Sequence, residues 1–163
     1  KSPVINSYKS FEEIHVNGKE EIVFYFSANK GGNVQNIAKV ASGGELSRLM
    51  LCIKYLMANK TQLPTIIFDE IDTGVSGETA HKMGLLMQKM SNNIQVIGIT
   101  HLPQVAAKGD EQLLVKKDNT QVLSETKLYK LNRKERVHEL AKMLSGSEVT
   151  SISISNAQEL LGA

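Results

Sequence analysis

Tryptophan is absent from the 163 residues, and there is a single cysteine, Cys52. One cysteine excludes an internal disulfide framework. It lies in an apolar helical stretch beside Ile53, where a buried small hydrophobe is expected and a catalytic thiol is not. No apolar run approaches the roughly 20 residues that span a bilayer, and the N-terminus lacks a signal-peptide pattern. The expectation is a cytosolic protein. Charge of one sign is scarce: 19 Lys and Arg stand against 17 Asp and Glu, for a net charge of +2. Dedicated nucleic-acid modules carry a stronger basic excess, so any DNA contact would come from a local patch or from other parts of a larger protein. Internal repeats, low-complexity stretches and clear linkers are also lacking, and the length suits one domain with a sizeable core.

What is present reads as an α/β protein. Residues 11–28, "FEEIHVNGKEEIVFYFSA", hold two strand-like runs around Asn17-Gly18, a strong hairpin signal. Residues 29–36 are turn-forming, and a helix is expected from about 45 to 59. Ile66, Ile67 and Phe68 form a short apolar run, the pattern of a strand covered on both faces. A helix over 77–91 places Ala80, Met83, Gly84, Met87 and Met90 inward, and a second apolar run, 94–100, ends at His101. Strand, helix and strand in that order give parallel strands with a right-handed crossover. Strands near 111–117 and 121–130 are expected to continue the sheet as an antiparallel pair. Helices follow at 134–145, with Val137, Leu140, Ala141 and Leu144 on one face, and at about 149–161, although "SISIS" alternates like a strand.

Two features carry chemistry. In "ASGGELSRLML", residues 41–51, Leu46, Leu49, Met50 and Ile53 recur at helical spacing, and Ser42 and Glu45 fit a capping box. The adjacent Gly43 and Gly44 bare the main chain, and a helix N-terminus offers N–H groups and partial positive charge to an anion such as phosphate. Taken alone, capping is the stronger reading. The second feature is an acidic edge. Asp69, Glu70 and Asp72 follow the first buried strand and His101 follows the second, so parallel strands bring them to the carboxyl edge of the sheet, where α/β proteins hold ligands. Asp69 could hold Mg²⁺, Glu70 could polarise a water for attack on phosphorus, and His101 could contact the phosphate or position that water.

Each residue also has a plainer role. Acids at strand ends are common in loops, Pro103 makes His101 look like a turn residue, and Asp72 could brace the loop "IDTGVSG". His15, His81 and His138 show no ligand spacing and are read as surface residues. Lys116, Lys117, Lys127, Lys130, Arg133, Lys134 and Arg136 read more readily as a solvated basic face than as phosphate contacts.

"ASGGELSR" resembles the signature motif of ABC-type ATPases, "TIIFDE" their Walker B strand and "ITH" their switch histidine. From about residue 16 onward, "VASGGELSRLML", "TIIFDEIDTGVSG", "ITHLPQVAA" and "ELAKMLSG" further resemble the C-terminal head segment of the RecN family of SMC-like bacterial DNA-repair ATPases. The resemblance implies the C-terminal lobe of an ABC/SMC-type ATPase head, with parallel core strands, flanking helices and antiparallel β-hairpins. It implies ATP and Mg²⁺ as ligands, Asp69 as the metal-holding residue, Glu70 as the activator of water and His101 as the γ-phosphate sensor. Ser42, Gly43, Gly44 and Glu45 would then contact ATP held by a second head, so that ATP drives homodimerisation. DNA would be engaged by the complete protein, in the cytoplasm and at the nucleoid, in double-strand-break repair and recombination.

Two departures matter. No G-x-x-x-x-G-K-[ST] occurs, and in this family that Walker A loop lies in an N-terminal head segment joined through a long coiled coil. The chain is therefore expected to be part of a longer protein and inactive alone. Ser76 stands where many ABC ATPases carry the D-loop aspartate, a substitution shared by RecN-like chains. Two other functions stay open from the residues: a Mg²⁺-dependent nuclease or Toprim-like domain built on Asp69, Glu70 and Asp72, which leaves the glycine pair unexplained, and a non-catalytic docking module.

Overall fold

Two short antiparallel pairings organise the described part of the N-terminal segment. The computed structural model describes residues 4–5, 18, 22–27, 31–39, 43–58, 63–118, 125–146 and 148–162. The chain divides into two compact units, Lys1–Leu46 and Ser47–Ala163. In the first, β1 (Val4–Ile5) pairs with β2 (Ile22–Val23), and β3 (Tyr25–Phe26) pairs with β4 (Gln35–Asn36). Gln35 and Asn36 are thus strand rather than the expected turn. The Asn36 side chain accepts from the Ala38 N–H at 2.9 Å and opens a 3-10 turn over Ile37–Lys39. Apart from Gly18 and residues 22–27, the expected hairpin at 11–28 lies outside the described residues.

Helix α1 (Gly43–Ala58) begins in the first unit and runs on into the second. Its buried residues are Leu51 and Ala58, with Tyr55 packed against the same core. These positions, spaced four and three apart, define the inward stripe. The stripe expected from the sequence is displaced: Leu46, Met50 and Ile53 are exposed, Leu49 is half-buried, and Cys52 is exposed rather than buried. The helix is apolar on more than one face, so periodicity alone could not choose between them.

β5 (Thr65–Asp69), α2 (Gly77–Ser91) and β6 (Gln95–Ile99) form the expected unit, with β5 and β6 parallel from Thr65↔Gln95 to Asp69↔Ile99. All five inward positions of α2 are buried as its spacing predicts. The strands are not covered on both faces, however. Ile66, Phe68 and Val96 join the core with α2, whereas Ile67 (62% exposed), Ile97 and Ile99 lie open on the other face. The in-register pairing puts these three isoleucines on one side, because side chains alternate along a strand.

After β6 comes a short helix, α3 (Pro103–Ala106), with Pro103 in its first turn; proline there lacks only an N–H the helix would not use. β7 (Leu113–Asp118) and β8 (Glu125–Lys130) are antiparallel as expected, but among the described residues they form their own two-stranded sheet and do not extend β5–β6. α4 (Arg133–Ser145) and α5 (Ser151–Leu160) each start with a complete capping box, Asn132 with Glu135 and Thr150 with Ser153. The Thr150 cap decides the ambiguous "SISIS" in favour of helix. Leu140, Ala141 and Ala157 make a second core with Ala107, and Val137 and Leu144 pack against it. Among the described residues no helix is long and apolar enough to cross a membrane.

Candidate functional site

The parallel register of β5 and β6 delivers two turns to one edge. Asp69 ends β5 opposite Ile99, and the hydrogen-bond ladder continues one step further, with the Glu70 N–H donating to the Ile99 carbonyl at 3.0 Å. Glu70 then takes φ +46°, the one positive φ at a non-glycine among the described residues. An L-residue enters this left-handed region at an energetic disadvantage, so the bend is imposed by its surroundings. Those surroundings are visible. The Glu70 carbonyl accepts from the Thr73 N–H at 3.2 Å and from the Thr73 hydroxyl at 2.9 Å, and Val75 N–H donates to the Asp72 carbonyl at 3.1 Å. Gly74 supplies the next positive φ, +72°. Val75 is buried in the core, which anchors the turn before α2 begins.

Asp69 and Glu70 are exposed at this edge, side by side in sequence. Asp72 is different: it is only 1% exposed. Its Oδ2 accepts the hydroxyl proton of Thr100, and the Thr100 hydroxyl oxygen accepts from the Leu102 N–H at 3.0 Å. Thr100 therefore ties the turn after β5 to the turn after β6. Oδ1 of Asp72 lies 3.9 Å from Nδ1 of His101, whose side chain is 63% exposed. The structure thus puts the backbone turns that carry Asp69–Glu70 and His101 at one edge of the β5–β6 pair, and adds Thr100, to which the sequence pattern gave no role. A polar residue directly after an apolar strand and before a candidate histidine was the available signal.

Gly43, Gly44 and Glu45 form the first turn of α1, in the N-terminal unit, and Ser42 lies outside the described residues. The capping box that needs Ser42 shares its position. Neither Gly43 nor Gly44 has a positive φ, and a Cβ at Gly43 would meet none of the described residues within 4 Å. Ser76 is exposed at the N-cap of α2 and makes no side-chain cap bond. His138 is exposed, His81 is half-buried rather than on the surface, and His15 lies outside the described residues.

One alternative is overturned by the placement of the acids. Among the described residues no group of three His, Cys, Asp or Glu side chains could share a metal ion. Asp72 is turned into the protein and hydrogen-bonded to Thr100, so the three-acid cluster of the nuclease alternative does not assemble. The basic residues form a largely solvated face, as their sequence suggests: Lys116, Lys117, Lys127, Lys130, Arg133 and Lys134 are exposed and Arg136 is half-buried. Arg136 donates to the carbonyls of Asp110 at 2.9 Å and Gly109 at 2.6 Å, Lys130 pairs with Glu111 at 2.5 Å, and Lys127 with Glu125 at 3.1 Å. Lys116 stands 5.7 Å from the centre of the Tyr129 ring.

No family model matches the chain. It is 44% identical over 150 residues to the DNA repair protein RecN of Haemophilus influenzae, a match covering 92% of this chain and 27% of that protein. Identity is 46% over 144 residues to RecN of Vibrio cholerae, covering 88% and 26%. For RecN of Rickettsia bellii it is 50% over 146 residues, again 88% and 26%. The chain spans about a quarter of the length of the curated relatives it matches. Among solved structures it superimposes on an Smc head domain with a coiled coil and joint from Pyrococcus yayanosii, with TM-score 0.64 and 22% identity, covering 79% of this chain and 23% of that one. A chain from structural work on ATP-driven dimerization and DNA-stimulated activation of SMC ATPases matches with TM-score 0.59 and 21% identity, covering 80% and 76%. At these identities the likeness shows the fold, an α/β lobe of the SMC-head type.

Proposed function

We propose that this RecN-like chain is the C-terminal lobe of an SMC-type ATPase head, a single functional domain that contributes half of a composite ATP site in a DNA double-strand-break repair and recombination protein. The observation that carries this reading is the shared edge: the parallel register sets the Asp69–Glu70 pair and the His101 turn side by side. An exposed carboxylate at a strand end, with room for water around it, suits Mg²⁺, which favours oxygen ligands and retains part of its hydration. Asp69 would hold that ion, whose positive charge offsets the charge developing on the phosphates. Glu70 activates the attacking water as general base, and His101 contacts the γ-phosphate or holds the water in line.

The glycine pair acts on a second site. Gly43 and Gly44 adopt no backbone that requires glycine, and among the described residues none comes within 4 Å of a Cβ placed at Gly43. Glycine at a helix start leaves the main-chain N–H groups open to a ligand. Close approach of a ligand to the main chain accounts for retaining it. Ser42, Gly43, Gly44 and Glu45 would bind the γ-phosphate of ATP seated on a second head, whose Walker A loop supplies the main phosphate contacts. ATP then joins two heads, and hydrolysis separates them. The partners are a Walker A segment of the same protein, a second copy of the head, and DNA through the complete assembly.

The test measures ATP hydrolysis by this chain alone and after mixing with a segment that supplies a Walker A loop. Turnover only in the mixture, abolished by Glu70→Gln with ATP still bound, is the expected outcome. A folded assembly that neither binds nor hydrolyses ATP would leave the motifs as scaffold and favour a docking module.

A further inference from the structure

Asp72 has no part in the steps above, yet it is the one buried acid among the described residues. Its two oxygens are unequal. Oδ2 has the Thr100 hydroxyl as donor, whereas Oδ1 is out of reach of solvent and without a hydrogen-bond partner among the described residues. A buried carboxylate oxygen in that condition is strongly unfavourable unless a donor reaches it. One donor is near. Nδ1 of His101 is 3.9 Å from Oδ1, and the largely exposed ring has freedom to turn. Thr100 fixes the backbone on both sides of that ring, through Asp72 and through the Leu102 N–H.

We propose that Asp72 is the positioning residue of His101: the ring closes onto Oδ1, Nδ1–H donates to it, and Nε2 is left facing the nucleotide side. A carboxylate behind an imidazole fixes both its plane and which nitrogen carries the proton. The inference rests on the reading of His101 as the phosphate-facing residue and assigns what holds it. It also explains why three acids occur within four positions without forming a metal cluster: Asp69 and Glu70 face outward, while Asp72 faces the histidine turn.

The experiment is a double-mutant cycle on ATP turnover by the full-length protein, using Asp72→Asn, His101→Ala and the pair. The Asp72→Asn change keeps the size of the side chain and an acceptor for Thr100, but turns an amide N–H₂ toward Nδ1 and selects the wrong tautomer. It is expected to lower kcat roughly 10- to 100-fold, as loss of an orienting partner does, and to cost nothing further once His101 is replaced by alanine. Equal losses in both backgrounds would overturn the positioning role while leaving the site assignment intact. Wild-type turnover in His101→Ala would remove the site assignment and the proposal with it. A second measurement needs no variant: ¹⁵N shifts of the neutral His101 ring should show Nδ1 protonated, and a dominant Nε2–H tautomer would overturn the proposal even if Asp72→Asn fails to fold.

Discussion

Glu70 and Ile99 are joined by a 3.0 Å backbone hydrogen bond one step beyond the last paired residues of β5 and β6. The bond extends the parallel ladder into the turn and holds the main chain of Glu70 against the strand that leads to His101. Position at the edge is therefore set by backbone pairing, and the side chains of Asp69 and Glu70 need no buried partners of their own. That arrangement leaves both carboxylates open to solvent while their Cα positions stay fixed.

Gly84 tests the support behind this edge. A Cβ there would sit 3.0 Å from the Gln104 carbonyl oxygen and 3.2 Å from the Val105 Cα, so α2 and α3 touch through backbone. At Gly98 the added atom would meet, among the described residues, only the Met87 methyl, at 2.7 Å, the end of a flexible side chain. Gly84→Ala is expected to destabilise by about 1–3 kcal/mol, the range for overpacking. Gly98→Ala should cost less, because Met87 can change rotamer. Denaturation midpoints of the two variants compare them directly, and equal losses would contradict the packing described.

Leu140 has no exposed surface and centres the core shared by α4 and α5. Leu140→Ala should lower stability by about 2–5 kcal/mol. Asn132→Ala removes the acceptor for the Glu135 N–H, 3.1 Å away, and is expected to cost about 1 kcal/mol. The two variants lie at different levels of one element, and the larger effect of the core change can be read from urea unfolding. A reversed order would mean that α4 is held by its cap more than by its packing.

The architecture is legible in the sequence wherever an element has one clear apolar face. α2 shows it best: Ala80, Met83, Gly84, Met87 and Met90 are the inward set in both sequence and structure. α1 was misread where apolar residues cover more than one face, and its true stripe runs through Leu51, Tyr55 and Ala58. The β5–β6 strands looked continuously apolar, but Ile67 shows that only one side is covered within this unit. At the site, strand ends located Asp69, Glu70 and His101. The inward turn of Asp72 toward Thr100 depends on two loops meeting, a relation between residues 28 apart that no local pattern encodes.

Glu78 gives a prediction in pH. Lys82, one helical turn on, hydrogen-bonds its carboxylate at 2.7 Å and adds Coulombic attraction, which together hold the Glu78 carboxyl below its usual range. A lowered folded-state value favours the folded chain above the unfolded-state value, and the contribution fades as pH falls through the folded one. An NMR titration of Glu78 should give a midpoint below that of an ordinary glutamate and return to it in Lys82→Met. Both groups are exposed, so added salt should shrink the difference. A midpoint unmoved by Lys82→Met would refute the pair.

The backbone of Glu70 allows its conformation and its carboxylate to be separated. Glu70→Ala and Glu70→Gly both remove the proposed general base, and neither should turn over ATP in the complete protein. They differ in what they do to a residue held at φ +46°. Alanine keeps the steric conflict between Cβ and the main chain, whereas glycine removes it, a difference of about 1 kcal/mol for a left-handed residue. Part of that is offset by glycine's greater freedom in the unfolded chain. Glycine should still leave the fold at least as stable as alanine does, the reverse of the order at an ordinary strand position. Chemical denaturation of the two variants measures it. Greater stability for alanine would mean that the turn after β5 relaxes to a right-handed or extended backbone, and that the ladder to Ile99 does not hold Glu70 in the bent form.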